Sequence, residues 1–102
     1  MCRRWNGGPG FCVDGGTEVE VSGPVTRYAS SDWAERAFCS RCGTHLFYRL
    51  LDTNAHSLSA GLFQDEDGLQ ITEQIYIDEK PAYYDLANDT ATMTGAEVEA
   101  KY

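Results

Sequence analysis

Turn-forming residues interrupt this chain so often that it has little room for a long helix or a long strand. Gly7-Gly8-Pro9, Asp14-Gly15-Gly16-Thr17, Ser22-Gly23-Pro24, Asp52-Thr53-Asn54-Ala55 and Asp65-Glu66-Asp67-Gly68 stand between short runs rich in β-branched and aromatic residues. Such spacing predicts a mainly β fold of short antiparallel strands with one or two short helices. The 102 residues suffice for one domain over 1–102, with roughly two-thirds of the unfolded chain's surface buried on folding.

Within this pattern, Phe11-Cys12-Val13 and Glu18-Val19-Glu20-Val21 flank a Gly-rich turn and read as a β-hairpin. Val25–Tyr28, a segment through Arg36-Ala37-Phe38, His45–Leu51, Ser57–Phe63 and Gln74–Ile77 read as further strands. Asp65–Gly68 lacks the alternating oxygen ligands and closing Glu of a calcium loop, so it reads as a solvated turn. Pro81 suits the first position of a short helix through Tyr84 or Asp85, with Tyr83-Tyr84 as a helical core contact. Thr94-Gly95-Ala96-Glu97 matches a capping box and predicts a C-terminal helix.

Sixteen acidic against eight basic residues give a net charge of -8, which opposes a phosphate backbone and excludes nucleic acid as an expected partner. No apolar run reaches the length of a membrane span, so no membrane partner is expected. Met1-Cys2-Arg3-Arg4-Trp5 leads into Gly-rich sequence instead of an apolar stretch and does not read as a secretory signal. The expected compartment is the cytoplasm, where Asn88-Asp89-Thr90 is a loop and not a glycan acceptor.

Cys39-Ser40-Arg41-Cys42-Gly43 is the strongest chemical motif. Two thiolates separated by two residues can meet one tetrahedral ion, because the turn between them points both sulfurs inward. Gly43 relieves crowding at the exit, and Arg36 and Arg41 lie close enough in sequence to favour thiolates. In a reducing compartment this spacing points to zinc ahead of a disulfide. Buried free thiols and a dithiol redox site are the alternatives, and the strand-like flanks are unlike the strand-to-helix setting of a thioredoxin motif. A structural zinc takes four ligands; the other candidates are Cys2, Cys12, His45 and His56.

Cys2-Arg3-Arg4-Trp5 with Gly7-Gly8-Pro9, followed by Phe38-Cys39-Ser40-Arg41-Cys42-Gly43-Thr44-His45-Leu46, resembles the glutathione-dependent formaldehyde-activating enzyme family, which includes centromere protein V. The resemblance continues through Ser30-Ser31, Gly61-Leu62-Phe63 and Ile77-Asp78-Glu79-Lys80-Pro81. It implies an Mss4-like β-tent with two zinc ions and a carbon-sulfur lyase that joins glutathione to formaldehyde or another small aldehyde. Cys39 and Cys42 take the place of a pair that shares the structural zinc with an earlier Cys-x-Cys strand. Cys2 takes the last place of the Cys-x-Cys-x-x-Cys cluster at the catalytic zinc. The metal ligands implied are thus Cys2, Cys39 and Cys42, with Cys2 at the catalytic centre and Arg3, Arg4 and Trp5 lining the glutathione pocket.

Met1 falls where that cluster is already nearly complete, so the resemblance implies a domain without the family's N-terminal segment, retaining three of seven metal thiolates. Either Cys2 joins the knuckle, or a second copy shares ligands as a homodimer through the sheet edge that the absent strand would leave exposed. The rival expectation is a non-catalytic, zinc-stabilised binding module or inactive fragment.

Overall fold

The structure, a computed structural model, describes every residue except Glu66 and Tyr102. The chain divides into two compact units, Gly10–Gln64 and Met1–Pro9 with Asp65–Tyr102. Short strands dominate the first, as the turn spacing predicts, and two short α-helices and two 3-10 turns complete the regular structure among the described residues.

In Gly10–Gln64 the strands are β1 (Cys12–Gly16), β2 (Val25–Tyr28), β3 (Ala34–Cys39), β4 (His45–Leu50) and β5 (His56–Ser59). They form one antiparallel sheet in the order β1-β5-β4-β3-β2. Because successive side chains on a strand face opposite ways, the register puts Val13, Leu58, Phe47, Ala37 and Arg27 in one cross-strand row. The next row on the same face holds Gly16, His56, Arg49 and Glu35. Ala37, Phe47 and His56 are buried on this face, and the Phe47 and His56 rings lie 5.1 Å apart. Burial of Phe47 alone contributes roughly 2–3 kcal/mol.

The hairpin expected from Phe11–Val21 does not form. β1 pairs with β5 instead, and Glu18–Val21 is not a strand. Asp14 Oδ1 accepts the Gly16 N–H at 2.9 Å and Gly16 takes φ 73°, which bends the chain away from β1. Gly15 sits so close to Leu58 that a Cβ there would meet Leu58 Cγ at 2.9 Å.

β1 and β2 are parallel strands on opposite edges of the sheet, separated by only the eight residues between Gly16 and Val25. Four inter-strand spacings span about 19 Å. Eight residues would reach about 12 Å as a helix but up to about 28 Å extended. The connection therefore crosses the sheet as an extended strap. Its ends are tied: Asn54 Nδ2 donates to the Thr17 carbonyl at 2.7 Å, and the Ser40 N–H donates to the Pro24 carbonyl at 2.8 Å.

The other unit opens with α1 (Cys2–Asn6), a single helical turn that was not evident in the sequence. β6 (Glu73–Ile75) and β7 (Ala91–Met93) pair in parallel. α2 (Gly95–Lys101) follows β7 and buries Val98. Both halves of the expected capping box are present: the Glu97 N–H donates to Thr94 Oγ1 at 3.2 Å, and the Thr94 N–H to Glu97 Oε1 at 3.0 Å.

The expected helix after Pro81 is absent. A 3-10 turn, Ile77–Glu79, precedes it, and Lys80 Nζ takes the carbonyls of Pro81 at 3.0 Å and Tyr84 at 2.5 Å. The ammonium thus satisfies a carbonyl that a helix would have offered to a backbone N–H one turn later. Tyr83 is 69% exposed, so it is no core contact. The expected turn at Asp65–Gly68 includes Glu66, which lies outside the described residues; beside it, the Asp67 N–H donates to Asp65 Oδ1 at 3.0 Å.

Candidate functional site

The cysteine knuckle is the turn of the β3–β4 hairpin. β3 ends at Cys39, whose N–H donates to the Thr44 carbonyl, while its carbonyl accepts the Gly43 N–H, both at 2.9 Å. Gly43 takes φ 78°, a left-handed conformation that costs glycine little and other residues about 1 kcal/mol or more. Thr26 and Ser40 join side chains at 2.7 Å and brace the turn against β2. The sequence therefore closes the knuckle through backbone bonds and one glycine.

Within it, Cys39 is half-buried and Cys42 exposed. Cys42 Sγ lies 3.0 Å from Thr44 Oγ1. The Thr44 hydroxyl, then the Thr44 backbone N–H and the Cys39 thiol, hold the Cys42 thiol below its ordinary range. These are hydrogen-bond donors that stabilise a thiolate. Neither arginine expected to do this contributes to the shift; Arg36 instead stacks 5.0 Å from the Tyr48 ring, and its charge, after burial, helps hold the His45 pKa below its ordinary value.

The remaining sequence candidates are dispersed. Cys12 is an exposed residue of β1 opposite Ser59, and His56 is buried with its Nδ1 2.7 Å from the Asn54 carbonyl. Cys2, half-buried, lies on α1 in the other unit together with exposed Arg3 and Arg4 and half-buried Trp5. α1 ends at Gly7 in the left-handed conformation, with its N–H on the Arg3 carbonyl at 2.9 Å. Arg3 Nη1 reaches the Glu79 carbonyl at 3.5 Å, the weak limit of a hydrogen bond.

Among the described residues, no group of three or more His, Cys, Asp and Glu side chains is placed to hold a metal. Cys39 and Cys42 supply two soft donors in suitable chemistry, half of a tetrahedral zinc set. A metal here needs ligands beyond the groups that this fold assembles around the knuckle.

A second cluster escaped the sequence reading. Glu35 Oε1 accepts Nη1 donors from Arg27 at 2.5 Å and from Arg49 at 3.0 Å. Arg49 Nε donates to Asn54 Oδ1 at 2.6 Å. Burial raises the Glu35 pKa, but the hydrogen bonds and charges of both arginines outweigh it and hold the carboxyl below its ordinary range. Only the strand register brings these residues together, which is why sequence spacing gave no signal.

Against this geometry, the chain is 37% identical over 100 residues to an uncharacterized lyase of Schizosaccharomyces pombe, covering 95% of this chain and 73% of that protein. The chain belongs to that protein's family. No family profile and no solved structure matches it. No described helix is long and apolar enough to cross a membrane.

Proposed function

We propose that the chain is a carbon-sulfur lyase acting on adducts between glutathione, or a similar thiol, and formaldehyde or another small aldehyde. The observation that carries this is the 37% identity, along nearly the whole chain, to a protein named a lyase. The motif resemblance around Cys2 and Cys39-x-x-Cys42 narrows the class to carbon-sulfur chemistry.

In the direction of cleavage, the adduct hydroxyl loses its proton as the carbon-oxygen double bond forms, the carbon-sulfur bond breaks, and the departing thiolate takes up a proton. The reverse direction assembles the same atoms. Groups that hold sulfur as thiolate lower the barrier both ways. Cys2, by its place in the motif, is the proposed catalytic centre, with Arg3 and Arg4 offering guanidinium forks to a thiol cofactor's carboxylates and Trp5 a wall.

For the knuckle the proposal is structural zinc on Cys39 and Cys42, completed by ligands that a second copy of the chain supplies. Bound zinc would neutralise the thiolates and lock the hairpin turn. Stopped-flow mixing of glutathione and formaldehyde tests the activity. The proposal expects the protein to speed the approach to an unchanged equilibrium and Cys2→Ser to lose that effect. A rate equal to the protein-free reaction counts against it.

A further inference from the structure

The hollow beneath the strap belongs to neither cysteine site. It measures about 410 Å3 and lies in the Gly10–Gln64 unit, floored by Arg27, Glu35, Arg49 and His56 and walled by Val19 and Val21 of the strap. Strand alternation explains the floor, since these side chains share one face of the sheet. Val19, half-buried, and Val21, exposed at its rim, line the hollow, while Glu18 and Glu20 are exposed and do not. The strap thus offers the hollow two apolar side chains, with Val19 the more covered, and turns its acids to solvent.

The charge balance of the floor is unusual for this protein. Two of only eight basic residues converge on one hollow in a chain of net charge -8. Glu35 neutralises one guanidinium and leaves one positive charge over. Arg27 commits Nη1 to Glu35, and Arg49 commits Nη1 to Glu35 and Nε to Asn54. A guanidinium carries five N–H donors, so both arginines keep donors beyond these bonds.

Asn54 organises the edge. It takes φ 64°, a conformation that asparagine tolerates better than most residues. There its side chain holds Arg49 on one side and the strap at Thr17 on the other. Its carbonyl faces His56 Nδ1 at 2.7 Å; because a carbonyl only accepts, Nδ1 carries the proton. His56 is 4% exposed, so its orientation is fixed by packing as well.

We propose that this hollow binds a small monocarboxylate with a short apolar stem. Its carboxylate lies on Arg27 and Arg49, and its stem against Val19 and Val21. One uncompensated positive charge matches a monoanion better than a phosphate dianion, and paired guanidiniums suit a planar carboxylate. The site stands independently of the lyase reading.

The test is an NMR titration of the 15N-labelled protein with butyrate, followed at the arginine Nε–H signals and at the backbone of residues 17–21. Butyramide, inorganic phosphate and sodium chloride at matched ionic strength are the controls. Butyrate should give saturable shifts at Arg49 and the strap, butyramide and chloride none, and phosphate only weaker ones. Arg27→Gln, at the sheet edge, should weaken butyrate binding roughly tenfold or more with an unchanged backbone spectrum. Non-saturable shifts, shifts equal to those of chloride, or tighter binding of phosphate would overturn the proposal. If Arg27→Gln does not fold, the wild-type titration still decides.

Discussion

Cys42 owes its acidity to Thr44, whose hydroxyl and backbone N–H both reach the sulfur. Thr44→Val should therefore raise the Cys42 pKa and slow its alkylation by iodoacetamide at pH 7 several-fold, because the thiolate is the reacting form. Alkylation followed by peptide mass spectrometry checks this; an unchanged rate would place the cause elsewhere. The sequence showed the thiol spacing but misassigned its electrostatics to Arg36 and Arg41, since closeness along the chain does not show which donors reach the sulfur. Glu35 gives a second residue-scale test. Its pKa is lowered from 4.5, so its contribution is complete above the unfolded value and is lost as pH falls through the lower folded one. Glu35→Gln should cost about 1–2 kcal/mol at pH 7, with the gap from wild type shrinking below about pH 4 in urea melts. A gap independent of pH would mean that the carboxylate charge does not matter.

At the scale of elements, local signals survived and non-local ones did not. The capping box at Thr94 and Glu97 was legible because its two hydrogen bonds lie within four residues. Thr94→Ala should cost about 1 kcal/mol and reduce helical signal from α2, measured by circular dichroism and thermal melts; no change in either would leave α2 held by packing of Val98 alone. The hairpin read over Phe11–Val21 failed for the opposite reason. Its Gly-rich turn is compatible with a hairpin, but β5 offers β1 a partner more than forty residues away. The strap then follows from connection length, which becomes informative only once the strand order is known. Likewise, Lys80 replaces the helix after Pro81 by a side-chain contact that no propensity records.

For the molecule as a whole, the turn spacing sufficed for fold class, whereas strand order and the Arg27–Glu35–Arg49 cluster needed three-dimensional register. The metal question is also decided at this scale, because two thiols of a knuckle cannot complete a structural zinc. Native mass spectrometry of protein purified without chelator should show one zinc per two chains, confined to dimers. One zinc in each monomer would instead require all ligands from one chain, and metal-free protein at every zinc concentration would remove the zinc proposal. The central claim concerns chemistry, and exchange at equilibrium addresses it without assuming a metal. With 13C-formaldehyde and glutathione already equilibrated, magnetisation-transfer NMR reports how fast free aldehyde and thiol adduct interconvert. Added protein should accelerate that exchange in proportion to its concentration without shifting the equilibrium, and Cys2→Ser should return it to the uncatalysed rate. Exchange unchanged by protein, across a panel of small aldehydes and thiols, would contradict the lyase account.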